Sequence, residues 1–321
     1  MTTPLATAPA PSAPGASAGP TTPSAARQSY ADAVGRLTKA IFRNKKATIG
    51  LLMLIGIVFV AAFPQLFSPY DPAAQNFNSQ EGPSAAHWFG TTQVGEDVLS
   101  QVIWGTRLTL IITVSVGLIV TFVSVVIGIT AAYVGGFLDA SLSLLIDIFL
   151  IIPTLPLLIV LSTYLEGSGT ESLILVLCVT GWAFGARQLR AQGLSIRTKD
   201  YLEAARVRGE NRPYIILAEI LPNMLSLVVA SFLGSAVYTV ATAAGLQFLG
   251  LGNSSDITWG TMLHFAQSQS AVEGGNPMWA IAPGLAVAVM GTAFALLNYA
   301  FDEIANPALR KSGRRRGQSA K

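Results

Sequence analysis

The sequence predicts an all-α integral membrane protein with six transmembrane helices and both termini in the cytoplasm. Three observations support this. Only 12% of the residues are charged against 51% hydrophobic, with a mean hydropathy of +0.53, whereas soluble domains carry about a quarter charged residues. Apolar runs long enough to cross ~30 Å of hydrocarbon recur six times along the 321 residues. Of the 20 Lys and Arg, 19 gather before the first run, at 187–212 and at 310–321, as expected where basic residues are retained on the inner side of short loops. An odd number of spans would strand the basic C-terminal tail outside. The net charge of +3 does not point to nucleic acid, because the basic residues flank apolar spans. A single cysteine, Cys178, excludes an intrachain disulfide. His87 and His264 lie far apart without clustered ligands, so neither metal nor cofactor is expected.

Residues 1–40 read as a disordered cytoplasmic tail. Its first 26 residues are dominated by Ala, Pro, Thr, Ser and Gly without charge, a composition that cannot bury a core and lacks the basic start of a signal peptide. Arg36, Lys39, Arg43, Lys45 and Lys46 then precede the first apolar run, Ala47 to Phe67, within a first transmembrane segment at 41–68; Pro64 and Pro69 mark its outer end. Residues 69–105 form a polar extracytoplasmic segment. A membrane core over 106–310 follows, with spans at about 106–133, 141–165, 171–190, 221–249 and 280–303 and a second outward loop at 250–279. The turn at 135–140 has no Lys or Arg, so the span count alone places it inside. The tail at 311–321, after Arg310, is basic enough to anchor the topology.

The charged island Tyr201 to Asn223 stands out between apolar segments. Residues 198–209 read as a short helix, with Leu202, Ala205 and Gly209 near one face and Glu203, Arg206 and Glu210 on another. Ala204 and Ala205 are small enough for another protein to approach the backbone. Gly209 permits a sharp turn, Pro213 opens the next helix, and Pro222 is expected to break or kink it. Composition alone allows an ordinary polar loop. The order Glu203-Ala204-Ala205, three residues, Gly209, then Ile220-Leu221-Pro222 resembles the EAA loop of permease subunits of ATP-binding-cassette importers. In that family the loop, here 195–222, forms a coupling helix seated in a groove of the ATPase. The resemblance therefore assigns Glu203, Ala204, Ala205, Gly209, Leu221 and Pro222 to coupling. The family's isoleucine two residues before Leu-Pro is replaced by Glu219.

Three further stretches carry the same resemblance. Phe89 to Leu110 looks like the segment ahead of the second span in dipeptide and oligopeptide permeases, matching at Phe89, Gly90, Thr91, Gly95, Asp97, Ser100, Gly105, Arg107 and Leu110. Thr92, Glu96, Gln101 and Thr109 depart from the pattern. Asp97 stands as a candidate ion-pair partner for Arg107, and snorkelling at a helix end accounts for Arg107 equally. Tyr133-Val134-Gly135-Gly136 with Asp139, Asp147 and Pro153 resembles the family's turn into the third span. Asp147 lies about two turns inside that span, a costly place for a carboxylate. The family's arginine three residues earlier is Leu144 here, so Asp147 has no local partner. It is left to pair across a subunit interface, to face water along the translocation path, or to be protonated. Phe248-Leu249-Gly250-Leu251-Gly252, then Trp259-Gly260-Thr261-Met262-Leu263, resembles the second, C-type permease of peptide and nickel importers, and Asn306-Pro307-Ala308-Leu309-Arg310 resembles its closing motif.

The resemblance covers roughly 47–310 and implies a type I importer permease fold. It also implies a second homologous permease, two ATP-binding-cassette ATPases and an extracytoplasmic substrate-binding protein as partners. The chain has no G-x-x-x-x-G-K-[ST], so ATP hydrolysis is assigned to partner chains and the subunit itself is expected to be non-catalytic. Peptides are the expected cargo. The alternatives are nickel or another small solute in the same family, and, from a different class, a stand-alone secondary transporter, which would show internal repeats and several buried ionisable groups.

Overall fold

The computed structural model describes Gly35, residues 44–165 and residues 169–305, without the side chains of 302–305. The predicted tails, the cations Arg36, Lys39 and Arg43, and the motif at 306–310 lie outside the described residues. Within them the secondary structure is helical, with one isolated bridge between Thr91 and Asp97.

Helix α1, Lys45–Ala62, starts where the Asn44 side chain accepts the Lys46 N–H at 3.0 Å. It ends at Phe63, ahead of a 3-10 turn at Pro64–Leu66. Helix α2, Val98–Val134, begins eight residues before the predicted span at 106. Capping explains the difference: Asp97 accepts the Ser100 N–H at 2.8 Å, and Val98 and Ile103 bury one face of the added turns.

The span expected at 141–165 is instead two helices, α3, Gly136–Ile151, and α4, Thr154–Tyr164, crossing at 88°. Pro153 is the cause. It has no N–H to continue the ladder, and it holds Ile152 extended at φ −64°, ψ 128°. Pro156 removes a second donor one turn later. Helix α5, Thr170–Arg197, runs seven residues beyond the predicted span, and the short helix α6, Asp200–Val207, follows.

Helix α7 runs Arg212–Phe248. Asn211 caps its first turn through the Tyr214 N–H at 2.9 Å. Of the break or kink expected at Pro222, there is no break: the helix continues, with a distorted turn ahead of the proline. The turn ahead of the proline, Ile215–Ile220, is π-helical, and the Leu221 N–H reaches back to the Ile216 carbonyl. The wider turn makes room for the ring and leaves no donor missing from an α ladder. Helix α8, Trp259–Ser268, lies in the predicted loop at 250–279 and was not foreseen; helix α9, Met278–Ala305, closes the described chain. Among the described residues, five helices are long and apolar enough to cross a membrane, or six spans if α3 and α4 count as one broken span.

The most extensive packing is α2 against α5, followed by α9 against α7 and α1, and α2 against α7. Gly128 makes the first possible, since a Cβ there would strike the Ala186 backbone oxygen. Three apolar clusters result. Phe294, Met290, Leu233 and Trp259 join α7, α8 and α9. Ile112, Val116, Leu158 and Leu177 join α2, α4 and α5. The third, at one end of the bundle, is built around α6. At the opposite end, residues 68–97 are tied down by long-range bonds: Asn276 Nδ2 donates to the Thr91 carbonyl (3.0 Å) and Gln80 Nε2 to the Gln269 carbonyl (3.0 Å).

Candidate functional site

Helix α6 lies across the end of the bundle because its apolar face has somewhere to go. Leu202 and Ala205 are 0% exposed and pack with Ile129, Tyr133, Leu189, Ile196, Ile215, Ile220 and Met224 from α2, α5 and α7. The Arg206 guanidinium sits 5.3 Å from the Tyr133 ring centroid. Beyond the helix, Arg208 pairs with Glu219 at 3.7 Å and Glu210 at 4.0 Å, linking α6 to the π turn. Burial, and then the Glu219 charge, hold the Tyr201 phenol above its ordinary pKa.

Glu203, Ala204 and Gly209 are exposed, and Val207, which the sequence reading did not single out, is 84% exposed. Ala205 and Pro222 are buried and Leu221 is half-buried. The six residues assigned to coupling thus separate into an outer group and an inner group. Ala205 is corrected as a point of approach for another protein, because its methyl already packs against its own chain.

A cavity of about 580 Å³ opens in the middle of the bundle. Helix α5 lines it with Leu177, Thr180, Gly181, Phe184, Gly185 and Gln188; α7 with Ala230, Ser231, Gly234, Ser235, Tyr238 and Thr239. Val116 and Val120 come from α2, Phe149 and Leu150 from α3, and Asn298 from α9. Asp, Glu, Lys, Arg and His are absent from its described lining. The sequence reading missed this site. Its signal was Ser231, Gly234, Ser235 and Tyr238 at i, i+3, i+4 and i+7 on α7, with Thr180, Gly181 and Gly185 on α5, small and hydroxyl residues that leave room at a helix face. A second cleft, about 340 Å³, lies at the end opposite α6 between residues 73–101 and 254–279, with Glu96 and Asp256 in its wall.

Asp147 does not line the cavity, although Phe149 and Leu150 beside it do. It is not without a partner, as the sequence suggested, but forms an ion pair with Arg187 on α5. Asp147 lies eleven residues into α3 and Arg187 ten residues from the end of α5, so the pair sits ~15 Å from the α6 end. Both side chains are half exposed, at 51% and 54%. Nearer the α6 end, Arg190 holds Asp139 in a two-point bond of 2.6 and 2.9 Å, and Arg197 donates to the Ala132 carbonyl at 3.3 Å. These contacts put the 135–140 turn at the same end as α6.

Asp97 does not pair with Arg107. It is buried, and it accepts from Ser100 and binds His87 Nδ1 at 2.9 Å, where the imidazole packs at a tilt against both Tyr70 and Phe77. Arg107 lies ten residues along the same helix, ~15 Å away, and is exposed. His87, read as an ordinary polar residue, is the partner that the sequence reading missed.

Residues 124–311 match the family described as the binding-protein-dependent transport system inner membrane component. Residues 36–84 match the N-terminal transmembrane domain of oligopeptide transport permease C. The chain is 30% identical over 282 residues to the dipeptide transport system permease protein of Bacillus subtilis, covering 87% of this chain and 86% of that one. It is 32% identical over 277 residues to a glutathione transport system permease protein of Pectobacterium atrosepticum (85% and 90%). To the oligopeptide transport system permease protein of B. subtilis it is 30% identical over 221 residues (68% and 72%). The apolar helices and the matched length agree, and the chain belongs to the inner-membrane permease family of binding-protein-dependent, ATP-binding-cassette importers.

Proposed function

We propose that this chain is one of two homologous permeases in a peptide importer and that its central cavity is half of the translocation path. The observation that carries the reading is α6, a helix bolted through Leu202 and Ala205 to the ends of α2, α5 and α7, two of which supply most of the cavity wall. A push on α6 therefore moves the wall. Glu203, Ala204 and Gly209 face outward to an ATPase, while Ala205, Leu221 and Pro222 hold the helix from behind. The α6 end and both termini are cytoplasmic, as the basic residues at 187–212 require.

The opposite end, with Glu96 and Asp256 around its cleft, receives a substrate-binding protein. Two ATPases hydrolyse ATP. Coupling of this kind needs two discrete arrangements of packed elements. The peptide cargo follows the printed functions of the relatives and a cavity whose described lining, apolar with hydroxyl and carboxamide groups, carries no charge. Asp147 and Arg187 lie at the seam with the second permease, where their half-exposed charges escape lipid.

Reconstitution of the full complex in liposomes tests the reading. Binding protein with peptide should stimulate ATP hydrolysis and drive import. Flux through this chain alone, without ATPase or second permease, would instead make it a secondary transporter.

A further inference from the structure

The cavity wall mixes apolar with hydroxyl and carboxamide side chains, and no described side chain on it carries a full charge. Several of its hydroxyl groups are already committed within the chain. Thr180 donates to the Val176 carbonyl at 3.0 Å, Thr239 donates to the Ser235 carbonyl at 2.7 Å, and the Tyr238 phenol is hydrogen-bonded to Thr242. The two carboxamides differ from these. Gln188 on α5 is exposed with no hydrogen bond to the described residues. Asn298 is the lining residue from α9, and its buried Oδ1 has no partner. The Asn298 amide nitrogen lies alongside Gly234 of α7, 3.5 Å from where a Cβ would stand.

An unpaired amide inside a membrane protein is costly unless something else completes its bonds. A carboxamide offers one acceptor and one two-proton donor, the same pair of functions that a peptide group presents. Ammonium and carboxylate groups, by contrast, find no counter-charge on this wall.

We infer that Asn298, with Gln188, is a main-chain contact for the peptide in transit, so that this half of the path reads the backbone and ignores side-chain charge. The inference rests on the permease reading above and adds which atoms of the cargo are recognised. Transition between inward- and outward-open states would make and break these amide bonds at each step, and weak bonds of this kind release cargo that a charge pair would retain.

The test uses the full reconstituted complex with three tripeptides of equal size: neutral, acidic and basic. Asn298→Leu, close in volume, should lower import roughly three- to ten-fold, the value of one lost hydrogen bond, and by the same factor for all three. Co-purification of the partner subunits with the variant in wild-type ratio reports that it is folded and assembled. Asn298→Asp places a charge on the wall and should make import charge-selective, favouring the basic tripeptide over the acidic one. Wild-type import by assembled Asn298→Leu, or a loss confined to one charge class, overturns the inference. A wild-type complex whose ATP hydrolysis ignores binding protein and peptide would instead overturn the permease reading itself.

Discussion

Gly209 shows how a single residue can act through its backbone. Its φ is +79°, and a Cβ built there meets no atom within 4 Å. Any L-residue would therefore cost about 1–2 kcal/mol through left-handed strain alone, whatever its size. Gly209→Ala and Gly209→Leu should lower the thermal stability of the isolated chain alike. In the assembled complex the leucine variant should transport less than the alanine variant, because on the proposed docking the ATPase fills that open space. Equal transport by the two would remove Gly209 from the docking surface. Asp97 makes a different argument. Its carboxylate caps α2 and holds His87. Asp97→Ala forfeits a cap worth about 0.5–2 kcal/mol and leaves the imidazole unpaired. A lower melting temperature in detergent is expected, with partial recovery in Asp97→Asn, whose side-chain oxygen still caps the helix.

At the scale of elements, the sequence motifs prove to be joints. Phe248 to Gly252 ends α7, with the Leu251 N–H on the Leu246 carbonyl and His264 Nδ1 on the Phe248 carbonyl at 3.0 Å. Trp259 starts α8 and ties it to α2 through the Val102 carbonyl at 2.9 Å. Apolar length was enough to locate the spans, but it could not see a break inside one. The run around Pro153 is equally greasy on both sides, and only backbone chemistry turns it. The Asp147–Arg187 and Asp97–His87 pairs were hidden for another reason: each joins residues whose proximity depends on helix packing or loop path. The bend itself is testable. Spin labels at Phe137 and Tyr164, both exposed, should lie roughly 30 Å apart across two rods at 88°. Replacing Pro153 and Pro156 together by alanine should lengthen that distance toward roughly 40 Å, the span of one straight helix of the same residues. An unchanged distance would mean that tertiary packing, not proline, sets the bend.

Across the whole molecule, the half-exposed Asp147–Arg187 pair faces outward from the single chain. Removing one partner strands a charge, so Asp147→Leu and Arg187→Leu should each reduce recovery of the intact complex. The double variant, with no charge to strand, should be recovered better than either. Additive losses would place the two charges in separate environments. The π turn at Ile215–Ile220 has a consequence of the same reach. A π turn holds one residue more than an α turn closing the same height, so the chain carries a spare residue where α6 meets the bundle. Deleting Leu217, whose side chain is exposed, should close an ordinary turn, leave both flanks in place, and yield a transporting complex. Deleting one residue inside α6 offers no such slack. It would turn everything beyond the cut by ~100° and carry Leu202 and Ala205 off their seat, so transport should be lost. The length of this chain is negotiable by one residue at that joint, and the neighbouring helix has none to give.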